Sequence, residues 1–339
     1  MSIEPRAYVT YFDQRYLGRA LVMLRSLRRH DPKSDIYALC LDQTAYEFID
    51  GQNDPKIICV SSQAMLDFDP SLAGCADRTR WAFYATHKPV LPLYVLSKRP
   101  NLAAVAYIDS DVFFYSSPEP LFAEIGHASI AVSPHRPAKN VEYVLTAGRF
   151  NAGFIYWRND AVGLRCLADY REDCMRWCGE DVQPDGRFMN QGYLTNWPDR
   201  YPSVHVISHP GTNLASWNVA NHRLAKADHF IVDGRPLIFF HFSNVLLDPS
   251  GIWRTIIYEF GDNLELILKS VYAPYLDEVE RTESRIRRQM PDLAPIQRGW
   301  TPADGFALRR GPWPRSWRGA YERARWLVAL SKRGERKFI

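Results

Sequence analysis

Apolar and polar residues along the first third of the chain switch between two periods. Residues 8–12 form a short β-rich run, and residues 17–29 carry apolar positions at helical spacing. Residues 35–41 and 56–60 return to strand-like runs. Residues 81–96 make a long helix-like stretch in which Pro89 and Pro92 are expected to interrupt or kink the helix, since proline lacks the required N–H. An apolar run over 102–108 then ends in Asp109-Ser110-Asp111. This alternation predicts an α/β fold, a mostly parallel sheet with helices on both faces. Ligands of such sheets bind beyond the carboxyl ends of the strands, where Asp109 falls.

The second half is less regular. Strands are expected over 128–132, 152–157 and 204–207, and helices over 161–178 and 187–197. Residues 236–240 read as a strand that delivers His241, and 252–272 and 273–288 read as helices outside the sheet. Neither a repeat nor a low-complexity segment interrupts the chain.

With 46% hydrophobic and 24% charged residues over 339 positions, the composition is that of a globular protein able to bury a sizeable core. None of the six cysteines forms a Cys-x-x-Cys pair, which predicts reduced, mostly buried thiols in a cytosolic protein. No basic-then-apolar leader opens the sequence, and no apolar run reaches membrane-spanning length. The net charge of +4 is uneven. From Arg309 onward ten Lys/Arg face two Glu, so the tail is strongly basic and the body slightly acidic. In residues 311–339 Trp, Leu and Val interleave with Arg and Lys, which fits either an amphipathic contact with anionic lipid or a solvated helix docked on the body. The acidic body argues against nucleic acid as a partner.

Two acids interrupt an otherwise apolar segment in Tyr107-Ile108-Asp109-Ser110-Asp111-Val112-Phe113-Phe114. Burying ionised carboxylates is costly unless a cation, an arginine or solvent meets them. Extended residues two apart point the same way, so both acids can reach one ion, and hard oxygen ligands suit Mg²⁺ or Mn²⁺. The same residues fit a strand-end turn with two solvated acids. His241 ends a second apolar run. Alone it reads as a structural histidine; beside two carboxylates, its nitrogen would favour Mn²⁺ over Mg²⁺.

Taken together, residues 7 to 245 resemble the retaining glycosyltransferases of family 8 and their bacterial relatives, which have the GT-A fold. The resemblance rests on ordered blocks: residues 9–16, Ala106 to Asp111, Phe150-Asn151-Ala152-Gly153-Phe154, Asn190-Gln191-Gly192-Tyr193-Leu194, Trp217-Asn218 and His241-Phe242-Ser243. It implies a Rossmann-like catalytic domain over residues 1–250, with a nucleotide-binding half to about 115 and an acceptor half to about 250. Residues 251–339 would be a helical C-terminal extension. It further implies a UDP-sugar donor, Mn²⁺ (or Mg²⁺) held by Asp109, Asp111 and His241, and transfer of a hexose to a glycan or lipid-linked acceptor. Location would be cytoplasmic, with possible peripheral membrane contact through the tail.

By the same resemblance Thr10, Tyr11 and Asp13 lie near base and ribose, and Tyr16 stacks on the base. Lys88 and Ser110 sit near the donor and the carboxylates, and Asn151, Ala152 and Gly153 meet the donor sugar. Trp217 and Asn218 face the acceptor. Gln191 falls beneath the anomeric carbon as a catalytic position, next to Asn190. Two departures stand out. Relatives usually carry Asp where this chain has Asn190, and an amide cannot be a carboxylate nucleophile or base. That favours front-face substitution over double displacement, with Asp185 or Glu180 as substitutes in the second case. Relatives also supply a Lys to the phosphates after the histidine; residues 242–249 contain none, leaving Ser243, Asn244 or main-chain amides. An inverting GT-A transferase, or a catalytically weak nucleotide-sugar-binding protein, remains the alternative.

Overall fold

The computed structural model describes residues 5–243, 245–247, 252–255, 260–291, 293 and 306–310. The tail over 311–339, and Asn244 with it, lies outside the described residues.

Four parallel strands open the fold: β1 (Arg6–Phe12), β2 (Asp35–Cys40), β3 (Ile57–Ser61) and β4 (Ala104–Ile108). Between them run α1 (Leu17–His30), α2 (Gln43–Asp50), α3 (Ser62–Phe68) and α4 (Arg80–Lys98). After β4 the chain makes β5 (Val112–Phe114), α5 (Glu119–Ile125), β6 (Ile130–Pro134), β7 (Phe150–Arg158), α6 (Ala161–Arg176) and β8 (Val204–Val206). The seven-stranded sheet has the order β3-β2-β1-β4-β7-β6-β8. Its β7 runs antiparallel to both neighbours.

Side chains alternate across this sheet as the period of two requires. Tyr8 faces a core formed with Leu21 and Leu24 of α1, Phe48 of α2 and Ile286. Ala7 and Val9 face the opposite core, with Val90 and Leu91 of α4, Tyr170 of α6 and Trp197. Asp42 and Asp160 start α2 and α6 by accepting otherwise unpaired first-turn amides.

A second, three-stranded sheet joins β5 to β9 (Leu214–Ala215) and, after the small β10 (Leu224–Lys226), β11 (Phe230–Val232) and β12 (Arg235–Pro236) ribbon, to β13 (Phe239–His241). The order is β5-β13-β9, with His241 opposite Val112. The fold is thus a mostly parallel α/β sheet flanked by helices, with a helical segment following it.

Three expectations need correction. Pro89 and Pro92 do not interrupt α4, which runs unbroken from Arg80 to Lys98. Val90 and Leu91 are fully buried and hold the helix on the sheet, and the carbonyl that Pro89 leaves without a helical partner finds another donor. The expected helix over 187–197 forms only at its end, as a Gly192–Asn196 turn of 3-10 helix. Met189 has a left-handed φ of 44°, and a Cβ on Gly192 would stand 2.5 Å from the Gly186 carbonyl oxygen. Finally, residues 252–272 are not one helix. Ile252–Thr255 is a strand paired with Leu246–Leu247 and Phe306–Arg310, and the Ala273–Gln289 helix then packs on α1 through Arg25–Thr282 and Arg29–Glu278 bonds.

Candidate metal and nucleotide site

The carboxyl end of β4 is where the two sheets part. Ile108 is the last residue paired with β7; Asp109-Ser110-Asp111 turns the corner, and Val112 enters the smaller sheet. Main-chain bonds fix the corner from both sides. Asp109 N donates to the Gly153 carbonyl at 3.0 Å, and Phe242 N donates to the Asp111 carbonyl at 2.9 Å. The second bond ties the residue after His241 to the second acid, so distant segments meet by strand pairing.

One ligand atom from each of Asp109, Asp111 and His241 lies within 4.8 Å of the others. His241 Nε2 is 3.1 Å from Asp111 Oδ1 and 3.8 Å from Asp109 Oδ2. The other oxygen of Asp109 is committed: Oδ1 accepts from Lys88 Nζ at 3.0 Å and from the Tyr107 hydroxyl at 2.6 Å. Asp109 therefore offers Oδ2 to the shared space. Burial pulls the His241 imidazole down, but the Asp111 carboxylate, aided by Asp109, outweighs it and raises its pKa. Burial raises Asp111, and the facing His241 charge and hydrogen bond, with Arg19, bring it below the ordinary carboxylate value.

His241 Nδ1 faces Asn151 Oδ1 at 3.1 Å and Asn213 Oδ1 at 3.4 Å, so this nitrogen carries a proton, and Nε2 is the ring nitrogen turned toward the acids. That second contact is what a metal-ligating histidine requires. Two carboxylate oxygens and one imidazole nitrogen with a fixed tautomer fit a divalent cation of the Mn²⁺ or Mg²⁺ kind.

Asn151 and Gln191 continue this network. Asn151 Oδ1 also accepts from Gly153 N at 2.9 Å, and Asn151 Nδ2 donates to Gln191 Oε1 at 3.3 Å. Gln191 Oε1 accepts from Ala152 N at 3.0 Å, and its Nε2 donates to the Ala147 carbonyl at 3.0 Å. Lys88 is buried and divides its bonds between Asp109 and the Ala152 carbonyl, 2.9 Å away. The close approach at Gly153 is by protein: an added Cβ would stand 2.6 Å from His241 Cε1 and 2.7 Å from Asn151 Oδ1.

The expected nucleotide residues lie at the end of β1, next to this corner. Thr10 is buried in β1, and Tyr11 packs on Tyr107 with ring centres 5.6 Å apart. Asp13 is buried; Oδ1 accepts from Arg15 N and Tyr16 N, and burial raises its pKa. Tyr16 meets Trp81 edge-on at 5.9 Å. Ser110 is buried at the corner, and Ser243 is half-buried just past β13.

Other expected residues have roles inside the protein. Asn190 Nδ2 donates to the Ala85 carbonyl at 3.0 Å. The Trp217 ring meets the His241 ring edge-on at 5.4 Å, and its indole N–H donates to the His135 carbonyl. Asn218 is fully buried, and its amide binds the Ala215 amide and the His135 and Asn213 carbonyls. Asp185 is exposed and paired with Arg187, and Glu180 accepts from Thr79. Tyr107, Asn213 and Arg19 were not singled out from the sequence. Only Tyr107 had a signal, standing two residues before Asp109 on the same side of an extended chain.

No known family profile matches the chain. Among solved structures, the glycosyltransferase GlyE of Streptococcus pneumoniae TIGR4 superposes with a TM-score of 0.50 at 15% identity, over 88% of this chain and 66% of that one. An active-site mutant of LgtC gives 0.50 at 13% identity, over 93% of this chain and 99% of that one. The fold is therefore of the GT-A type. Two Bacillus subtilis (strain 168) proteins are similar in sequence: the uncharacterized YfnD is 29% identical over 85% of this chain and 93% of its own length. The uncharacterized YfnF is 32% identical over 70% of this chain and 80% of its own length, and the chain belongs to the family of YfnF. All six cysteines are free, and among the described residues no helix is long and apolar enough to cross a membrane.

Proposed function

We propose that this chain is a metal-dependent glycosyltransferase that moves a hexose from a UDP-sugar to a glycan or lipid-linked acceptor, with retention at the anomeric carbon. The observation that carries the reading is the convergence of Asp109, Asp111 and His241 at the strand-end corner of a fold shared with a glycosyltransferase. When bound there, Mn²⁺ would stabilise negative charge on the departing diphosphate. Lys88 and Tyr107 hold Asp109 with one oxygen turned to that position, while Asn151 keeps His241 in the required tautomer. Thr10, Tyr11, Asp13 and Tyr16 form the nucleotide end. Gln191, braced against Ala147 and Ala152, supports the floor under the sugar.

Retention follows front-face substitution. The bond from the anomeric carbon to the diphosphate oxygen breaks as the acceptor oxygen bonds on the same face, and the acceptor proton passes to the departing phosphate. Asn190 takes no part as nucleophile, because its amide donates to the Ala85 carbonyl. Residues 1–250 form the catalytic unit in this reading, and the basic tail over 311–339 brings it to an anionic lipid surface on the cytoplasmic side. Purified protein is expected to hydrolyse or transfer from UDP-sugars with Mn²⁺ and to lose turnover in Asp111→Asn. Equal turnover in chelator, without metal, overturns the proposal.

A further inference from the structure

His135 is the first residue past β6, and it is buried. Bonds to its main chain hold it from both sides. Its N–H donates to the Arg149 carbonyl at 3.2 Å, and its carbonyl accepts from Trp217 Nε1 at 3.0 Å and from Asn218 Nδ2 at 3.1 Å. The ring so placed has two neighbours that matter to the site. It meets the Trp217 ring edge-on at 5.5 Å, and its Nε2 stands 3.4 Å from Asn151 Nδ2. Each neighbour also touches His241: Asn151 Oδ1 lies 3.1 Å from its Nδ1, and the Trp217 ring meets its ring at 5.4 Å.

Asn151 uses all four bonding positions of its amide inside the protein. Oδ1 accepts from Gly153 N at 2.9 Å and faces His241 Nδ1, while Nδ2 donates to Gln191 Oε1 at 3.3 Å and faces His135 Nε2. The Gly153 N–H can only donate, so the amide cannot turn over without setting donor against donor. His135 Nε2 therefore receives the second Asn151 N–H on its lone pair, and the ring proton sits on Nδ1. Burial pulls the pKa of this ring down to about 4, against the Gly148 and Arg149 main chain, so the ring is neutral and can accept. Without it, one buried N–H of Asn151 has no partner, and the amide plane facing His241 loses one of its two supports on the Nδ2 side.

We propose that His135 is a positioning residue for the metal corner, whose Nε2 fixes the plane of the Asn151 amide and, through it, the His241 ring. The inference rests on the metal-dependent reading above and adds a residue outside the ligand set. A second line runs through Asn218, whose amide also binds the Asn213 carbonyl at 3.0 Å; Asn213 Oδ1 is the other oxygen at His241 Nδ1.

Spin-resonance titration of Mn²⁺ into full-length wild type, His135→Phe and His135→Gln tests this. Phenylalanine keeps a flat ring beside Trp217 and removes the acceptor, whereas glutamine can carry a carbonyl oxygen to the place of Nε2. His135→Phe should weaken Mn²⁺ binding by about 3- to 10-fold, the effect of one neutral hydrogen bond, and His135→Gln should recover most of that loss. Unchanged affinity in His135→Phe overturns the inference, as does an equal loss in both variants, which packing alone would give. Nitrogen NMR of the wild-type histidines needs no variant. At neutral pH the His135 proton is expected on Nδ1, and a proton on Nε2 overturns the inference even if the variants fail to fold. Wild type that binds no Mn²⁺ would instead overturn the metal reading itself, and this inference with it.

Discussion

The side-chain amide of Asn190 donates to the carbonyl of Ala85 at 3.0 Å, and that carbonyl is free because Pro89 stands four residues further along the same helix. Proline at 89 removes the N–H that would have closed the helical turn, and Asn190 replaces it from another segment. The position requires a donor. A carboxylate would place an acceptor against an acceptor inside the protein.

Asn190→Asp is therefore expected to destabilise the fold by about 1–3 kcal/mol, the range for a buried polar group that loses its partner. In a Pro89→Ala background the helix recovers its own N–H, and the cost of Asn190→Asp should shrink. Chemical denaturation of the four proteins in this cycle measures the coupling. Additive losses would separate the two positions.

Gly153→Ala addresses the packing behind the site. A Cβ 2.6 Å from His241 Cε1 and 2.7 Å from Asn151 Oδ1 must displace the imidazole, the amide that holds it, or both. Mn²⁺ affinity, followed by the spin-resonance signal of the free ion, should fall at least about 10-fold while the overall fold is retained.

Asn151→Leu removes the acceptor opposite His241 Nδ1 without touching Asp109 or Asp111. Loss of such a contact weakens metal sites by about 10- to 100-fold. The same titration should show a loss in that range. Undiminished affinity would mean that Asn213 fixes the ring by itself.

Acid stability tests a part of the fold away from the site. Asp31 accepts from Arg6, the Tyr8 hydroxyl and Ser34 at 2.9, 2.7 and 2.8 Å. Burial alone would raise its pKa; these donors outweigh it and hold the carboxyl below the ordinary value. A depressed folded pKa gives stability that is present above the unfolded value of about 3.9 and is lost as pH falls through the folded one. Asp31→Asn should cost about 3 kcal/mol at pH 7. Thermal melts should show that gap narrowing below about pH 4, where wild type also becomes protonated.

Much of this arrangement is legible in the amino-acid sequence. The parallel half of the sheet follows from apolar runs whose lengths and spacing allow little else, and the corner at Asp109 from two acids ending such a run. Convergence of His241 on that corner was legible only through family resemblance, since no local pattern encodes the pairing of Val112 with His241. Residues 187–197 and 252–255 depart from their local patterns because contacts outside those patterns set their conformation, the close Gly186 carbonyl in one case and the distant Phe306–Arg310 strand in the other. Asn190 shows the same limit. Its departure from the family's acid was visible, while the reason, a proline a hundred residues earlier, needed the fold.

Anomalous diffraction from crystals soaked in Mn²⁺ and UDP bears most directly on the central claim. A single Mn²⁺ peak is expected about 2.1 Å from oxygens of Asp109 and Asp111 and from Nε2 of His241, with phosphate oxygens completing its shell. A peak elsewhere, or an ion held by the acids with the imidazole turned away, would contradict it.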